Sequence, residues 1–172
     1  MSEKKWLVFY TKSRHEEKVN EYLTRRGYEV FLPMQGVVRQ WSDRKKKVMV
    51  PLFRSYIFVH DSEHRIEEIV QAPGIAWNVR YNNRPAELRH EELETIQLFL
   101  ATGLFVETVA EADLEPGEHV EVIGGPLKGV RGRIVHSPSG DKFSVTLAVL
   151  GNSMVIKLDS RLLKRTNAQI NE

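Results

Sequence analysis

The sequence contains no cysteine, which excludes disulfide bonds, thiolate metal sites and cysteine nucleophiles. It also contains no apolar run close to the roughly 20 residues that span a bilayer. The first residues have neither the long apolar core nor the small-residue cleavage site of a signal peptide. We therefore expect a soluble, intracellular protein of the cytoplasm that has no membrane partner.

The usual signatures of enzymes are missing as well. There is no phosphate loop, dinucleotide-binding fingerprint or Gly-x-Ser-x-Gly elbow. Residues 60–64 read HDSEH, which matches the H-x-x-E-H pattern of inverted zinc peptidases. That chemistry needs both histidines on one helix face, whereas His60 ends a strand pattern and Asp61 and Ser62 read as a turn. We expect no catalytic residues, no cofactor and no metal site.

The sequence does contain a strong separation of charge. Residues 1–60 carry a net charge of +7, residues 61–115 carry −8 and residues 116–172 carry +3. Such a distribution suits a protein that offers a basic surface to a polyanion. The candidate nucleic-acid contacts in the basic segment are Lys12, Arg39, Trp41, Arg44, Lys45, Lys46 and Lys47.

Four of these cations form the tip of a predicted hairpin, with residues 37–41 leading out and residues 48–50 leading back. A charged tip can serve only solubility and protection from edge pairing. Alternatively, its cations contact phosphates without reading bases. Trp41 beside the tip either stacks on a base or packs across the hairpin.

Hydrophobic periodicity predicts a mixture of strands and helices over the first hundred residues. Residues 6–11, 28–32 and 75–81 read as strands, and Ser13 and Glu16 have the spacing of a capping box at a helix start. Residues 48–59 read as one long strand that is apolar on both faces, which is typical of the middle of a sheet. Helices are expected around residues 63–71 and 88–103. This pattern predicts an α+β domain, an antiparallel sheet flanked by helices.

The composition becomes acidic, small and proline-terminated over residues 108–116, which we interpret as a flexible linker. Beyond it, short β-branched runs alternate with Gly- and Pro-containing turns and predict a small SH3-like antiparallel barrel. The predicted domains are therefore residues 1–107 and 117–166, joined by residues 108–116.

Residues 118–135 read EHVEVIGGPLKGVRGRIV and resemble the KOW motif of transcription elongation factors and some ribosomal proteins. Its characteristic positions are Gly124, Gly125, Pro126, Lys128, Gly129 and Gly132. Upstream, WLVFY at 6–10, SRHEEKV at 13–19, VFLP at 30–33 and PLFRSYIFV at 51–59 resemble the N-terminal domain of the NusG family.

Within that family, FLPM at 31–34 is closer to the specialised RfaH-like and UpxY-like paralogues, which antiterminate transcription of polysaccharide operons. Two segments depart from the family patterns. The usual Phe-Pro-Gly-Tyr is here FRSY at 53–56, and RIEE at 65–68 lacks the His-Thr-Thr-Thr run of the RfaH form. The β-branched tail also favours a barrel over the helical hairpin known for RfaH.

The resemblance implies a monomeric regulator that binds the clamp helices of the largest subunit of RNA polymerase. There it would hold the clamp closed over DNA near the transcription bubble and reduce pausing or termination. The residues that match the polymerase-binding cavity are Tyr10, Phe53, Tyr56, Phe58 and Tyr81. Each of these could instead belong to the core.

The resemblance further implies that the KOW domain recruits a ribosomal protein or a termination factor. The competing interpretation is a ribosome-associated RNA-binding protein that uses the KOW barrel alone.

Overall fold

The computed structural model describes residues 2–167 and forms two compact units, with the boundary between Leu93 and Glu94. The N-terminal unit contains nine strands and two short helices, and a 3₁₀ turn at Glu63–Arg65 leads into the second helix. In chain order these elements are β1 (Lys5–Thr11), α1 (Glu16–Arg25), β2 (Glu29–Phe31), β3 (Met34–Gln40), β4 (Lys45–Pro51), β5 (Tyr56–Asp61), α2 (Ile66–Ile69), β6 (Ile75–Asn78), β7 (Arg80–Tyr81), β8 (Arg84–Pro85) and β9 (Glu87–Leu88).

An antiparallel sheet with strand order β2-β5-β1-β6 forms the centre of this unit, and β9 pairs with β1. Because side chains alternate along a strand, every second residue of β1 and β5 faces the helices. The apolar residues of this set are buried and pack against apolar side chains of α1 and α2; the cluster includes Leu7, Phe9, Ile57, Val59, Val19, Leu23, Ile66 and Ile69. The predicted α+β arrangement, with β5 inside the sheet, is confirmed.

The predicted single strand over residues 48–59 is wrong, because a turn divides it. Strand β4 ends at Pro51, which has no N–H to donate, and β5 begins only at Tyr56. Between them, Tyr56 N donates to Phe53 O at 3.3 Å, and Ser55 has a φ of 65°. Phe53 therefore does not alternate with Phe58 along one strand, and their rings contact each other edge-on, with centroids 6.4 Å apart.

The predicted capping box at the start of α1 is also absent from the structure. The helix begins at Glu16, its N-cap is His15, and no side chain caps it. Glu16 points elsewhere, because its carboxylate accepts a hydrogen bond from the N–H of Ser55. Glu16 is the first residue of the helix, too early for the third position that a capping-box glutamate occupies, and its carboxylate has a tertiary partner instead.

Two hairpins extend the N-terminal unit. Strands β3 and β4 form a separate two-stranded sheet whose turn is closed by a 2.8 Å hydrogen bond from Trp41 N to Arg44 O. The short pair β7–β8 is connected by Asn82 and Asn83, both with positive φ, as a type I′ turn requires.

The C-terminal unit contains a six-stranded antiparallel sheet. A helix, α3 (His90–Ala101), crosses the unit boundary, and its Phe99 stacks on Phe143 with centroids 6.0 Å apart. The strands are β10 (Glu107–Ala110), β11 (Pro116–Val122), β12 (Arg131–Val135), β13 (Lys142–Leu147), β14 (Asn152–Ile156) and β15 (Leu163–Arg165). Their order in the sheet is β10-β14-β13-β12-β11-β15. The predicted β fold of this part of the chain is confirmed.

The structure differs from the expected linker at residues 108–116. Strand β10 pairs with β14 along the register Thr108↔Met154 and Val109↔Ser153, and a 3₁₀ turn follows at Glu111–Asp113. The acidic composition suggested a solvated tether, yet Thr108 and Val109 are β-branched and suit a strand. The prediction failed because residues 107–110 form hydrogen bonds with the edge strand β14, and the composition of a segment does not indicate such a distant partner.

Among the described residues, no helix is long and apolar enough to cross a membrane.

Candidate functional site

Three aromatic side chains stack across neighbouring strands of the N-terminal unit. Tyr10 of β1 is paired with Tyr56 of β5 on one side and with Trp77 of β6 on the other. The Trp77 and Tyr10 rings are nearly parallel, 12° apart in orientation and 4.4 Å apart between centroids. The Tyr56 ring meets Tyr10 edge-on at 5.4 Å. We call Tyr10, Tyr56 and Trp77 the aromatic platform.

The aromatic platform is ordered but remains accessible. Trp77 is 55% exposed, and Tyr10 and Tyr56 are half-buried. Burial raises the pKa of Tyr56 above its ordinary value of 10.0, and the adjacent Tyr10 acts in the same direction. The Tyr56 phenol is therefore neutral at physiological pH. An aromatic surface of this kind suits the apolar side chains of a protein partner.

The five aromatic residues predicted to bind polymerase do not form one surface. Only Tyr10 and Tyr56 come together on the aromatic platform. Phe53 is 3% exposed and Phe58 is completely buried, which contradicts their assignment to a binding surface. Both rings fill the interior where the turn before β5 folds back onto the sheet. Tyr81 lies on the β7–β8 hairpin and is 76% exposed.

Sequence reasoning missed Trp77, although it is the largest side chain of the platform. Its segment was correctly predicted as a strand, and an exposed tryptophan in a strand was the one available signal. That Trp77 stacks on Tyr10 depends on β6 pairing with β1 across a register shift at Tyr10 and Thr11. Nothing in the local sequence specifies that pairing.

Most of the cations predicted for the hairpin tip lie in a strand instead. The three lysines of the run KKK lie in strand β4, and only Arg44 flanks the turn at Ser42 and Asp43. Arg39 and Trp41 are exposed on the facing strand and at its end. Lys12 lies elsewhere, in the exposed loop after β1, where its N–H donates to Gly74 O at 2.8 Å.

The KOW positions have the conformations that require glycine. Gly125 and Gly129 have φ values of 75° and 90°, in the left-handed region. A Cβ on Gly132 would lie 2.2 Å from the backbone oxygen of Ser144. Lys128 N closes the turn on Gly125 O at 3.2 Å, with Gly124 and Pro126 in the same segment.

The two histidines of the H-x-x-E-H pattern belong to different elements. His60 lies in β5, where its Nδ1 is 2.7 Å from a carboxylate oxygen of Glu29 and its ring stacks on Trp6. His64 lies in the 3₁₀ turn. Across residues 2–167, no group of three or more His, Asp or Glu side chains could hold a metal ion.

The family model NusG, described as transcription termination factor nusG, matches residues 4–97. The chain is 23% identical to the transcription termination/antitermination protein NusG of Streptococcus pyogenes serotype M3 over 171 residues, covering 91% of this chain and 93% of the relative. The corresponding protein of Staphylococcus epidermidis is 24% identical over 160 residues, covering 85% of this chain and 86% of the relative.

A solved structure described as domain interaction in Thermotoga maritima NusG is similar in fold. It has a TM-score of 0.59 and 23% identity, and the match covers 95% of this chain and 97% of that one.

Proposed function

Because this chain belongs to the NusG family of transcription termination/antitermination factors, we propose that it regulates elongation by binding RNA polymerase through the aromatic platform. The partner element is the clamp helices of the largest subunit, and binding reduces pausing or termination. The observation that carries the proposal is the contact of Tyr10 with Tyr56 edge-on and with Trp77 face to face, on three adjacent strands. An aromatic surface held in place by stacking loses little side-chain entropy when a partner helix covers it.

The other parts of the chain have matching roles in this proposal. The β3–β4 hairpin contacts DNA near the transcription bubble through its cations, which no acidic cluster on the hairpin neutralises. The KOW domain recruits a second factor, a ribosomal protein or a termination factor. The protein acts as a monomer in the cytoplasm, without enzymatic activity.

A specialised role on polysaccharide operons is part of the proposal. It is supported by the turn at residues 53–56, where Arg54 is exposed and Ser55 has positive φ in place of the usual Pro-Gly. Deletion of the gene should therefore lower read-through of long polysaccharide operons and leave bulk transcription unchanged. A general elongation defect would instead indicate a housekeeping role.

Two exposed tryptophans provide a matched test of the polymerase-binding surface. Trp77 and Trp41 are each 55% exposed, but only Trp77 belongs to the platform. Tryptophans at the centre of interfaces typically contribute about 2 kcal/mol or more, which corresponds to roughly thirtyfold in affinity. In co-purification with core polymerase and in a binding titration, Trp77→Ala should lower the affinity for polymerase by this factor, and Trp41→Ala should leave the affinity unchanged.

Tyr81→Ala, on the adjacent hairpin, should also weaken polymerase binding without lowering stability, since Tyr81 is 76% exposed. Equal binding by the Trp77 and Trp41 variants would remove the platform from the interface. Co-purification with ribosomal subunits and no polymerase would instead favour the ribosome-associated alternative.

A further inference from the structure

A cleft opens between the two helices of the N-terminal unit. Its volume of about 420 Å³ is within the range of small-molecule sites. Its apolar lining comes from Leu23, which is 1% exposed, and from two half-buried tyrosines. We call it the helix cleft and define it by the residues that line it: Tyr22, Leu23, Arg26, Tyr28, Glu68 and Gln71.

The helix cleft lies on the opposite side of the central sheet from the aromatic platform. Phe9 of β1 and Ile57 of β5 pack against α1 and α2. Tyr10 and Tyr56 are their neighbours in sequence, so they project from the other face of the sheet. The cleft is therefore separate from the proposed polymerase-binding surface, and an inference about it does not rest on the proposed function.

One wall of the cleft presents a positive charge on an aromatic ring. The guanidinium carbon of Arg26 lies 3.5 Å from the centroid of the Tyr22 ring, and its Nη1 donates to the Tyr22 carbonyl oxygen at 3.3 Å. Among residues 2–167 no carboxylate pairs with Arg26. A guanidinium has five N–H donors, so most of those of Arg26 are available to an anion. Its plane also suits stacking on a base.

The other wall presents a fixed carboxylate. Arg65 donates from Nη2 to the Tyr28 hydroxyl at 3.1 Å, and its Nε is 3.0 Å from a carboxylate oxygen of Glu68. A hydrogen bond from the Tyr28 hydroxyl holds the pKa of the Glu68 carboxyl below its usual range, so Glu68 is ionised at neutral pH. A carboxylate accepts about four hydrogen bonds, which leaves an acceptor site for a ligand.

The two walls together limit the class of ligand. Arg26 requires an anion, and the tyrosine rings with Leu23 require an apolar or aromatic body. Glu68 requires an N–H donor on that body. Inorganic phosphate lacks the aromatic part, and a nucleoside lacks the anion. A nucleotide has a phosphate, a planar base and a polar base edge.

The carboxylate distinguishes between the purine bases. Guanine presents adjacent N–H donors along its edge, which a carboxylate accepts. Adenine presents a ring nitrogen beside its amino group, and the lone pair of that nitrogen repels a carboxylate. We propose that the helix cleft binds a guanine nucleotide, with its phosphate on Arg26 and the edge of its base on Glu68.

Two adjacent arginines provide a matched test of the phosphate contact. Arg26 lines the cleft, whereas Arg25 forms an ion pair with Glu21 at the same end of α1. Arg26→Ala and Arg25→Ala therefore remove the same charge from neighbouring positions. Binding of GMP, guanosine, AMP and inorganic phosphate to the full-length chain is measured by isothermal titration calorimetry. Amide chemical shifts locate the site, and circular dichroism checks that every variant is folded.

The full-length chain should bind GMP about tenfold more tightly than guanosine, because the phosphate forms charge-assisted hydrogen bonds with Arg26. Arg26→Ala should remove this difference, and Arg25→Ala should retain it. The shifts caused by GMP should cluster at residues 22–28 and 66–71, around the cleft.

Glu68→Gln tests the contact with the base. An amide replaces one acceptor oxygen with a donor, so the affinity for GMP should fall about tenfold while that for AMP stays within about twofold. AMP thus controls for any disturbance of Tyr28 and Arg65, which contact Glu68. An equal loss for both nucleotides would show that Glu68 does not read the base and would overturn the assignment of guanine.

Several outcomes would overturn the whole proposal. One is the absence of saturable GMP binding up to about 1 mM, the upper end of ordinary substrate affinities. Another is a set of shifts confined to the β3–β4 hairpin, which would indicate general attraction of phosphate to surface lysines. Equal losses in Arg25→Ala and Arg26→Ala would have the same meaning. Polymerase co-purification should be unchanged in Arg26→Ala, and its loss would make the cleft part of a protein interface instead.

Discussion

Glu16 and Ser55, 39 residues apart in sequence, are joined by a 2.8 Å hydrogen bond from the Ser55 N–H to the Glu16 carboxylate. Glu16 is 7% exposed, and Ser55 has a φ of 65°. The first residue of α1 thus holds the turn that places Tyr56 at the start of β5. The geometry of the aromatic platform depends on this turn.

Replacing Glu16 with alanine should destabilise the N-terminal unit by about 1–2 kcal/mol, because the Ser55 N–H loses its acceptor. All three tryptophans of the chain lie before residue 94, so tryptophan fluorescence during urea unfolding reports on this unit. Glu17→Ala, at the exposed neighbouring position, is the control and should have little effect. Equal midpoints for the two variants would contradict the assigned role of Glu16.

Ser55→Gly should stabilise the same unit by about 1 kcal/mol. A residue with a Cβ is strained in the left-handed region, and glycine is not. The family's usual Phe-Pro-Gly-Tyr has glycine at this position, where glycine adopts positive φ without strain. Ser42→Gly is the control, because Ser42 also lies in an exposed turn but is not among the residues with positive φ. Stabilisation by both variants or by neither would show that φ at Ser55 is not the cause.

The N-terminal unit should lose stability above about pH 10 in part through Tyr56. Burial and the adjacent Tyr10 raise the pKa of Tyr56 in the folded chain, so the Tyr56 phenolate is less favourable in the folded than in the unfolded chain. The contribution of Tyr56 to the free energy of unfolding is therefore complete below its ordinary pKa of 10.0. It is lost as the pH rises through the higher pKa of Tyr56 in the folded chain.

Tyr56→Phe should show a smaller alkaline loss in urea midpoints measured between pH 8 and about pH 11. Tyr81→Phe controls for the removal of an exposed phenol. An unchanged alkaline slope in Tyr56→Phe would contradict the prediction.

Gly132→Ala should destabilise the C-terminal unit by about 1–3 kcal/mol, because the new methyl group overlaps the Ser144 carbonyl and the Phe143 ring. Hydrogen exchange of the β12 and β13 amides measures this directly. Gly125→Ala has open space around its Cβ and loses only the backbone preference, so its effect should be smaller. The prediction is wrong if the order of the two variants is reversed.

Much of the fold could be predicted from the sequence because the signals are local. Short apolar runs identified β1, β5 and β6, and turn glycines and prolines identified the C-terminal sheet. Positive φ was expected in the glycine turn and is found at Gly125 and Gly129, and the expected close backbone approach is found at Gly132. The family was indicated by short stretches such as PLFRSYIFV, which combine several of these local requirements.

The candidate site could be predicted only in part, because it depends on which strands become neighbours. The sequence marked Tyr10 and Tyr56 as aromatic strand residues, yet it also marked Phe53 and Phe58, which are buried. Period-2 alternation gives two faces but does not say which of them the rest of the domain will cover.

The sequence by itself determined β1, the β3–β4 hairpin and the turns of the C-terminal sheet, and it determined the concentration of cations near residue 45, since these follow from residue type and spacing. Tertiary structure decided that Trp77 stacks on Tyr10, that Glu16 accepts from Ser55 and that β10 joins β14. Each of these contacts joins segments far apart in the chain, and its energy exists only after the chain has folded. Local propensity does not depend on such a distant partner and therefore cannot predict it.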